Sequence, residues 1–288
     1  LIKMNFIKFF IKILINLVLN IFYYILFLNK KFGAYIVEIS YKIIDSKFIT
    51  INNNKIILKF HINNSLTYFR AKTFSTKEPE TLEWIDGFTK DSVFWDIGAN
   101  VGIYSIYAGK KFCKSIYAFE PSIFNIETLT RNIILNKLQD IISIIPCAVS
   151  DDQKINYLNM SNTLKSGSMS AFGVNFGYDG NPISKQMRYK TVGLSMDFML
   201  ENLDLEQPDY IKIDVDGIEH IILSKAKKTL LNTKSILIEI NDDFVDQKLK
   251  CEDILIKNGF YLIKKEKGEL TKNTNFQNSY NQIWIKND

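Results

Sequence analysis

The stretch Ser92–Gly109, "SVFWDIGANVGIYSIYAG", passes from an apolar run through an aspartate, into two glycines set around an asparagine, and on into a helical pattern. An apolar run of this length, ended by glycine, reads as a buried strand, and the residues after Gly102 read as a helix. A strand, a tight turn and a helix in that order form the first unit of a doubly wound sheet. In such sheets ligands sit beyond the carboxyl ends of the strands, at the switch point after the first one. Gly98 and Gly102 let the backbone turn tightly and approach a ligand closely.

The glycine spacing selects the ligand. It is G-x-x-x-G, not the G-x-G-x-x-G that sets a pyrophosphate on a helix N-terminus. Asp96 stands directly before the turn, where a carboxylate repels a pyrophosphate but suits an ammonium or another cation. This favours S-adenosylmethionine over a nicotinamide dinucleotide. A bare strand–turn–helix junction without a ligand is the competing reading.

Outward from this unit the chain continues to alternate. "SIYAFEP", "IISIIPCAVSD", "DYIKIDVDG" and "SILIEIN" read as further strands, with helices over Ser122–Lys137, Ile218–Leu231 and Asp246–Lys257. "GFYLIKK" and "NQIWIKN" read as a closing antiparallel pair. Such alternation implies an α/β fold, a parallel sheet with helices on both faces. A polar Gly/Ser section, Asn159 to Gln186, interrupts it between two strand-like segments and predicts a hairpin with a long tip, read as a lid or as disorder. No internal repeat is present.

Acids recur at the strand ends. Glu120, eighteen residues after Gly102, is placed to accept two ribose hydroxyls. Ser150 and Asp151 follow the third strand and suit an adenine amino group, or simply form a turn with a helix cap. In "YIKIDVDGIEHI", Lys212, Asp214 and Asp216 alternate along a strand, with Glu219 one turn on. Crowded buried carboxylates have raised pKa values, so Asp214, Asp216 and Glu219 are candidates for proton abstraction. The same oxygens, with Asn241 and Asp242, would form a divalent-metal set, a possibility that is not favoured. The bland alternative pairs Lys212 with Asp214 and makes Asp216 a helix cap. His220 and Glu239 are lesser candidates.

The 288 residues carry a net charge of +5, with lysines dispersed rather than clustered, so no nucleic-acid footprint is expected. Three cysteines without ligand spacing read as buried thiols, and two histidines leave little for a zinc site or a serine-hydrolase triad. The first residues, "MNFIKFFIKILINLVLNIFYYILFLNKK", place Asn5, Lys8, Lys12, Asn16 and Asn20 on one helical face. An interfacial amphipathic helix ranks first, a helix packed on the chain or on a second copy next, and a membrane-spanning one third. The expected organisation is a helix over 1–34, a β-rich extension over 35–90 with strands in "KFITINNNKIILKFH" and "SLTYFRAKTF", and the main domain over 91–288. Within the extension, "EPETLEWIDGF" reads as a helix that starts near Pro79 and ends before Gly87.

"VFWDIGANVGIYSIYAG", "AFEPSIFNIETLTRNIILN", "AVSDDQ", "SGSMS", "YIKIDVDGIEHIIL" and "ILIEIN", in this order and spacing, resemble the FkbM family of S-adenosylmethionine-dependent methyltransferases over about Glu80 to Trp284. The resemblance implies a class I methyltransferase fold, Rossmann-like with seven strands and the last antiparallel. It implies methyl transfer, usually to oxygen, on polyketide, sugar or polysaccharide acceptors. It places Asp96, Gly98, Asn100 and Gly102 along the methionine end of the cofactor, Glu120 on the ribose, Asp151 by the adenine and Asp214 nearest the methyl. His220 is not supplied by the motif. The expected partner is a small-molecule or glycan acceptor rather than a nucleic acid, with contact to a membrane surface or self-association through the N-terminal helix. The expected location is cytoplasmic, on the inner face of any membrane it joins. A nicotinamide-dependent oxidoreductase and a non-catalytic scaffold are the alternatives.

Overall fold

Helices α1 (Ile2–Phe27) and α2 (Lys30–Asp45) make up the first of two units, residues 1–47, and the second comprises residues 48–288. The computed structural model describes residues 2–111, 113–268 and 278–286. Asn29 caps α2 by accepting the Phe32 N–H. Within α1 the stretch Phe9–Phe27 is long and apolar enough to cross a membrane. Beyond Lys12 every apolar side chain of α1 but that of Leu26 is exposed, Leu14 at 61% and Tyr24 at 75%. Only Asn16 and Asn20 interrupt them, so the polar face expected of this helix narrows there to two side chains.

The second unit opens with the hairpin β1 (Phe48–Asn53) and β2 (Ile56–His61), turned by Asn54 and Lys55 at φ 49° and 70°. Helices α3 (Ser65–Lys72), α4 (Phe74–Lys77) and α5 (Pro79–Asp86) follow. The β-rich reading of 35–90 is therefore corrected, because one hairpin lies among helices. "SLTYFRAKTF" is α3 and not a strand. Asn64 and Thr67 cap each other's backbone at its start, a local signal that outweighs the aromatic and β-branched residues.

The alternating region is β3 (Ser92–Ile97), α6 (Ile103–Lys111), β4 (Cys113–Phe119), α7 (Ile123–Asn136), β5 (Ile142–Ile145) and β6 (Ala148–Val149), then β7 (Lys154–Met160), β8 (Ser170–Phe172) and β9 (Met187–Leu194). It continues through α8 (Met196–Asn202), β10 (Tyr210–Ile213), α9 (Glu219–Leu223), α10 (Lys227–Leu231), β11 (Ser235–Asn241), α11 (Val245–Lys257), β12 (Phe260–Glu266) and β13 (Ser279–Lys286). Seven strands form one sheet in the order β12-β13-β11-β10-β3-β4-β5, and only β13 runs against the rest. This is the doubly wound sheet with an antiparallel last strand that the sequence implies.

Apolar runs buried on both faces explain the parallel strands, since successive side chains point to opposite sides. Phe94 joins the core on one face with Leu237 and Ile116, and Trp95 the core on the other with Ile211 and Ile236. The hairpin docks on α7, where Asn132 and Asn136 accept the His61 and Lys59 N–H groups at 2.7 and 3.0 Å. Two expected elements divide. Pro146 breaks the third strand, so β6 leaves for a second sheet, β6-β9-β7-β8. The helix after Gly217 splits into α9 and α10. The predicted long-tipped hairpin is β7 and β9, with β8 added at its edge.

Candidate active site

Ile97 pairs with Phe119 on one side and Ile213 on the other, so β3, β4 and β10 end at one level. A cavity of about 300 Å³ opens there. Gly98 makes the level ending possible: at φ +83° it passes the next strand so closely that a Cβ would lie 2.0 Å from the Asp214 carbonyl oxygen. Gly102 serves α7 instead, since a Cβ there would meet Leu129 at 2.3 Å, and it does not line the cavity.

Glu120 and Asn100 line one wall together. The Glu120 carboxylate accepts the Asn100 N–H on Oε2 and the Ser122 N–H on Oε1, both at 2.8 Å. The Asn125 side-chain amide also donates to Oε1, at 3.4 Å, so of the about four acceptor sites of a carboxylate the one left for a further donor is on Oε2. Burial pushes its pKa up to about 7 against the pull of these N–H groups. Phe119, Cys147, Val149, Leu158 and Phe172 continue this wall as an apolar slot. Carboxylate and slot together fit a ribosyl-adenine, and charged groups occupy the opposite end.

Asp96 lies elsewhere than expected. It is 1% exposed and accepts the Ser105 hydroxyl beneath the turn, and it is absent from the cavity wall. Burial raises its pKa. Direct contact with a bound cation is thus corrected to a place under the loop. Ser150 and Asp151 also stay outside the cavity: the Ser150 hydroxyl donates to Asp151 at 2.9 Å, and Lys154 pairs with the same carboxylate. They form a bend that leads into β7 and cap no helix, and the apolar residues before them face the slot instead.

Asp214 and Asp216 line the cavity, whereas Glu219 does not. The buried Lys212 ammonium donates to Asp214 at 2.7 Å, and Asp214, Asp96 and Glu78 hold that lysine charged despite its burial. Asp216 does not cap a helix. Its Oδ2 accepts the Met169 and Ser170 N–H groups at 2.6 and 3.2 Å, fastening the "SGSMS" loop over the site. Burial, then the neighbouring Asp214, pushes its pKa up to about 6. Glu219 is 1% exposed and accepts the Val215 and Gly217 N–H groups at 3.1 Å, so it braces the turn from behind. Its candidacy as a base is corrected on that ground.

His220 packs on Phe244 outside the cavity. Asn241 accepts the Asp243 N–H, and Asp242 pairs with Lys248 and Lys265, so neither joins an oxygen set with Asp214. Glu239 does line the cavity, and burial raises its pKa well above the usual range.

The loop 166–170 is held from three sides. Gly167 O accepts the side-chain amides of Asn100 and Asn125 at 2.8 and 3.1 Å, and Ser166 O accepts Arg70 Nε at 3.2 Å. Asn100, Ser166, Met169 and Asp216 all have left-handed φ, between 53° and 70°. Such strain in non-glycine residues gathers at functional sites. Arg70, Lys77 and Glu78 complete the far wall. Sequence reasoning missed all three, Arg70 because the strand-like residues of α3 conceal a helix, and Lys77 and Glu78 because no motif marks the junction of α4 and α5. Glu78 pairs with Lys77 and accepts the Tyr104 hydroxyl at 2.7 Å. Against its burial, Lys77 and Lys212 hold its pKa down, to about 2.

A sequence model described as the methyltransferase FkbM domain matches residues 96–261. The hexuronic acid methyltransferase AglP of Haloferax volcanii is 24% identical over 160 residues, 53% of this chain and 57% of that one. The chain thus spans little more than half of that relative. Among solved structures, a precorrin-6y C5,15-methyltransferase from Geobacter metallireducens aligns at TM-score 0.43 and 16% identity, over 73% of this chain and 87% of that one. A tRNA m1G37 methyltransferase from M. jannaschii aligns at 0.45 and 16%, over 84% and 57%.

Proposed function

This chain belongs to the FkbM methyltransferase family, and on that premise we propose that it methylates a hydroxyl oxygen of a sugar or glycan with S-adenosylmethionine. The observation that carries the reading is Glu120, fixed by two N–H groups at the end of β4 with acceptor capacity left beside an apolar slot. That arrangement suits a ribose hydroxyl and an adenine. The sugar acceptor is supported by the relative that is a hexuronic acid methyltransferase.

Bound there, the cofactor supplies a methyl carbon made electrophilic by its sulfonium sulfur. The chain's own task is to hold an acceptor oxygen in line and to take its proton. Asp216 is the proposed proton acceptor: it lines the cavity, and its pKa near 6 makes it a better base than an ordinary aspartate. The Asp214 carboxylate, which pairs with Lys212, is offered to a cationic group at the same end. No metal is proposed.

The reading is tested by titrating the full-length chain, in detergent, with S-adenosylhomocysteine in a calorimeter. Micromolar binding that Glu120→Ala abolishes supports it. A folded protein that does not bind would leave the scaffold reading in its place, and binding of NADH instead would favour an oxidoreductase. For location, attachment to the cytoplasmic face of a membrane through α1 is proposed, supported by the apolar surface of Phe9–Phe27.

A further inference from the structure

The main cavity continues into a side chamber of about 50 Å³ between α4 and the first turn of α6. The two share Arg70, Lys77, Glu78, Gly98, Asn100 and Asp214. If the slot beside Glu120 takes the nucleoside, as proposed above, the amino-acid end of the cofactor falls at this junction. That end carries one ammonium and one carboxylate, so the junction must present both signs of charge.

The charges at the junction are unequally committed. Lys77 is paired with Glu78, and Lys212 with Asp214. Although its charge is felt by Asp216 on the same wall, Arg70 forms no ion pair among the described residues. Its one hydrogen bond there runs from Nε to the Ser166 carbonyl oxygen at 3.2 Å. That bond fixes the guanidinium plane and leaves the two terminal nitrogens as parallel donors, the geometry that grips a carboxylate in two places. Asp96, which the sequence offered for this end, is shut beneath the turn.

We infer that Arg70 binds the carboxylate of the cofactor's amino-acid end, with Asp214 facing its ammonium. This inference rests on the methyltransferase reading. It makes α3, which precedes the family-matched residues 96–261, a working part of the cofactor site. It also couples cofactor to lid, because the same guanidinium holds the Ser166 carbonyl.

The test compares two ligands that share adenine and ribose. S-adenosylhomocysteine has the amino-acid end and 5′-methylthioadenosine lacks it. Both are titrated into the full chain and into its Arg70→Gln and Arg70→Lys variants. Arg70→Gln is expected to weaken S-adenosylhomocysteine by about tenfold or more, the size of a lost charge-assisted pair, and 5′-methylthioadenosine by less than about twofold. Arg70→Lys keeps the charge without the fork and falls between. Equal losses for both ligands would assign Arg70 to loop support alone and overturn the inference, as would no loss for either. Should Arg70→Gln not fold, the wild-type ratio and Arg70→Lys decide: wild type binding both ligands equally, or Arg70→Lys weakening both alike, overturns it. Wild type binding neither ligand overturns the underlying methyltransferase reading instead.

Discussion

The Asn100 backbone N–H meets Glu120 Oε2 at 2.8 Å, joining the turn after β3 to the end of β4. Asn100 reaches this position at φ 53°, and its side chain goes on to hold Gly167 of the loop above. One acid thus ties together two strand ends and, through asparagine, the cavity roof. Mutation of Glu120 acts on shape as well as on ligand contact, so its role is best read from a titration.

Glu120 has a folded-state pKa of about 7, above its usual 4.5, because burial penalises the charge. The folded state therefore holds a proton that the unfolded chain has released, and between about pH 4.5 and 7 stability falls as pH rises. Glu219, also raised to about 7 by burial, adds to the same slope. Ribose hydroxyls favour the carboxylate, so affinity for S-adenosylhomocysteine should climb from pH 5.5 to 7.5 and then level. Calorimetry should show proton release at pH 6.5, and Glu120→Gln should flatten both profiles. A wild-type affinity indifferent to pH would contradict the ribose contact.

Asp216→Asn keeps an oxygen for the Met169 and Ser170 N–H groups that Asp216 now accepts but removes the proposed base. Turnover should fall about 10²- to 10⁴-fold, the usual contribution of a positioned base. Affinity for S-adenosylhomocysteine should stay within about threefold, the loop being intact. Unchanged turnover would move the base elsewhere, to Glu239, a carboxylate on the same wall that, unlike Asp216, has no hydrogen-bond partner among the described residues.

Glu219 offers the contrast. Glu219→Ala would strand the Val215 and Gly217 N–H groups and the Gln247 side chain inside the protein. A loss of about 3 kcal/mol in urea unfolding is expected, while folded protein keeps its turnover. A catalytic defect without a stability defect would restore Glu219 as the base.

The sheet was legible because burial on both faces writes strands as continuous apolar runs and the helices between them are periodic. The strand-end acids were legible as a class, but their roles were not. Asp96, Asp214, Asp216 and Glu219 look alike in sequence, yet one lies under the turn, two face the cavity and one braces it from behind. That sorting depends on which side of a turn each side chain leaves, which spacing does not encode. Arg70 was hidden for another reason: "SLTYFRAK" has strand-like residues, and only the Asn64–Thr67 cap makes it a helix that faces the cavity.

Gly98 supplies a steric test of the site's foundation. Alanine there would set a Cβ 2.0 Å from the Asp214 carbonyl oxygen at a φ of +83°, and backbone cannot yield as a side chain can. Gly98→Ala should cost about 3 kcal/mol or more, or prevent folding, as read from soluble yield and urea midpoint. Gly102→Ala meets only the Leu129 side chain at its nearest point, and its positive φ adds a smaller strain, so it should fold with the lesser loss.

Helix α1 carries the last prediction. At about 1.5 Å per residue, the 19-residue stretch Phe9–Phe27 is about 28 Å long, close to the ~30 Å of bilayer hydrocarbon. Lys12 stands near one end, and Lys30 and Lys31 follow the other, where cations can reach lipid headgroups. A helix apolar on nearly every side gains little from lying in the interface, where half its surface would face water. The full chain should float with phospholipid vesicles and stay with them after alkaline carbonate extraction. A chain lacking residues 1–28 should remain in the supernatant. Release by carbonate would mean that α1 lies on the surface, the arrangement its sequence first suggested, and failure to float at all would mean that its apolar surface is covered by protein.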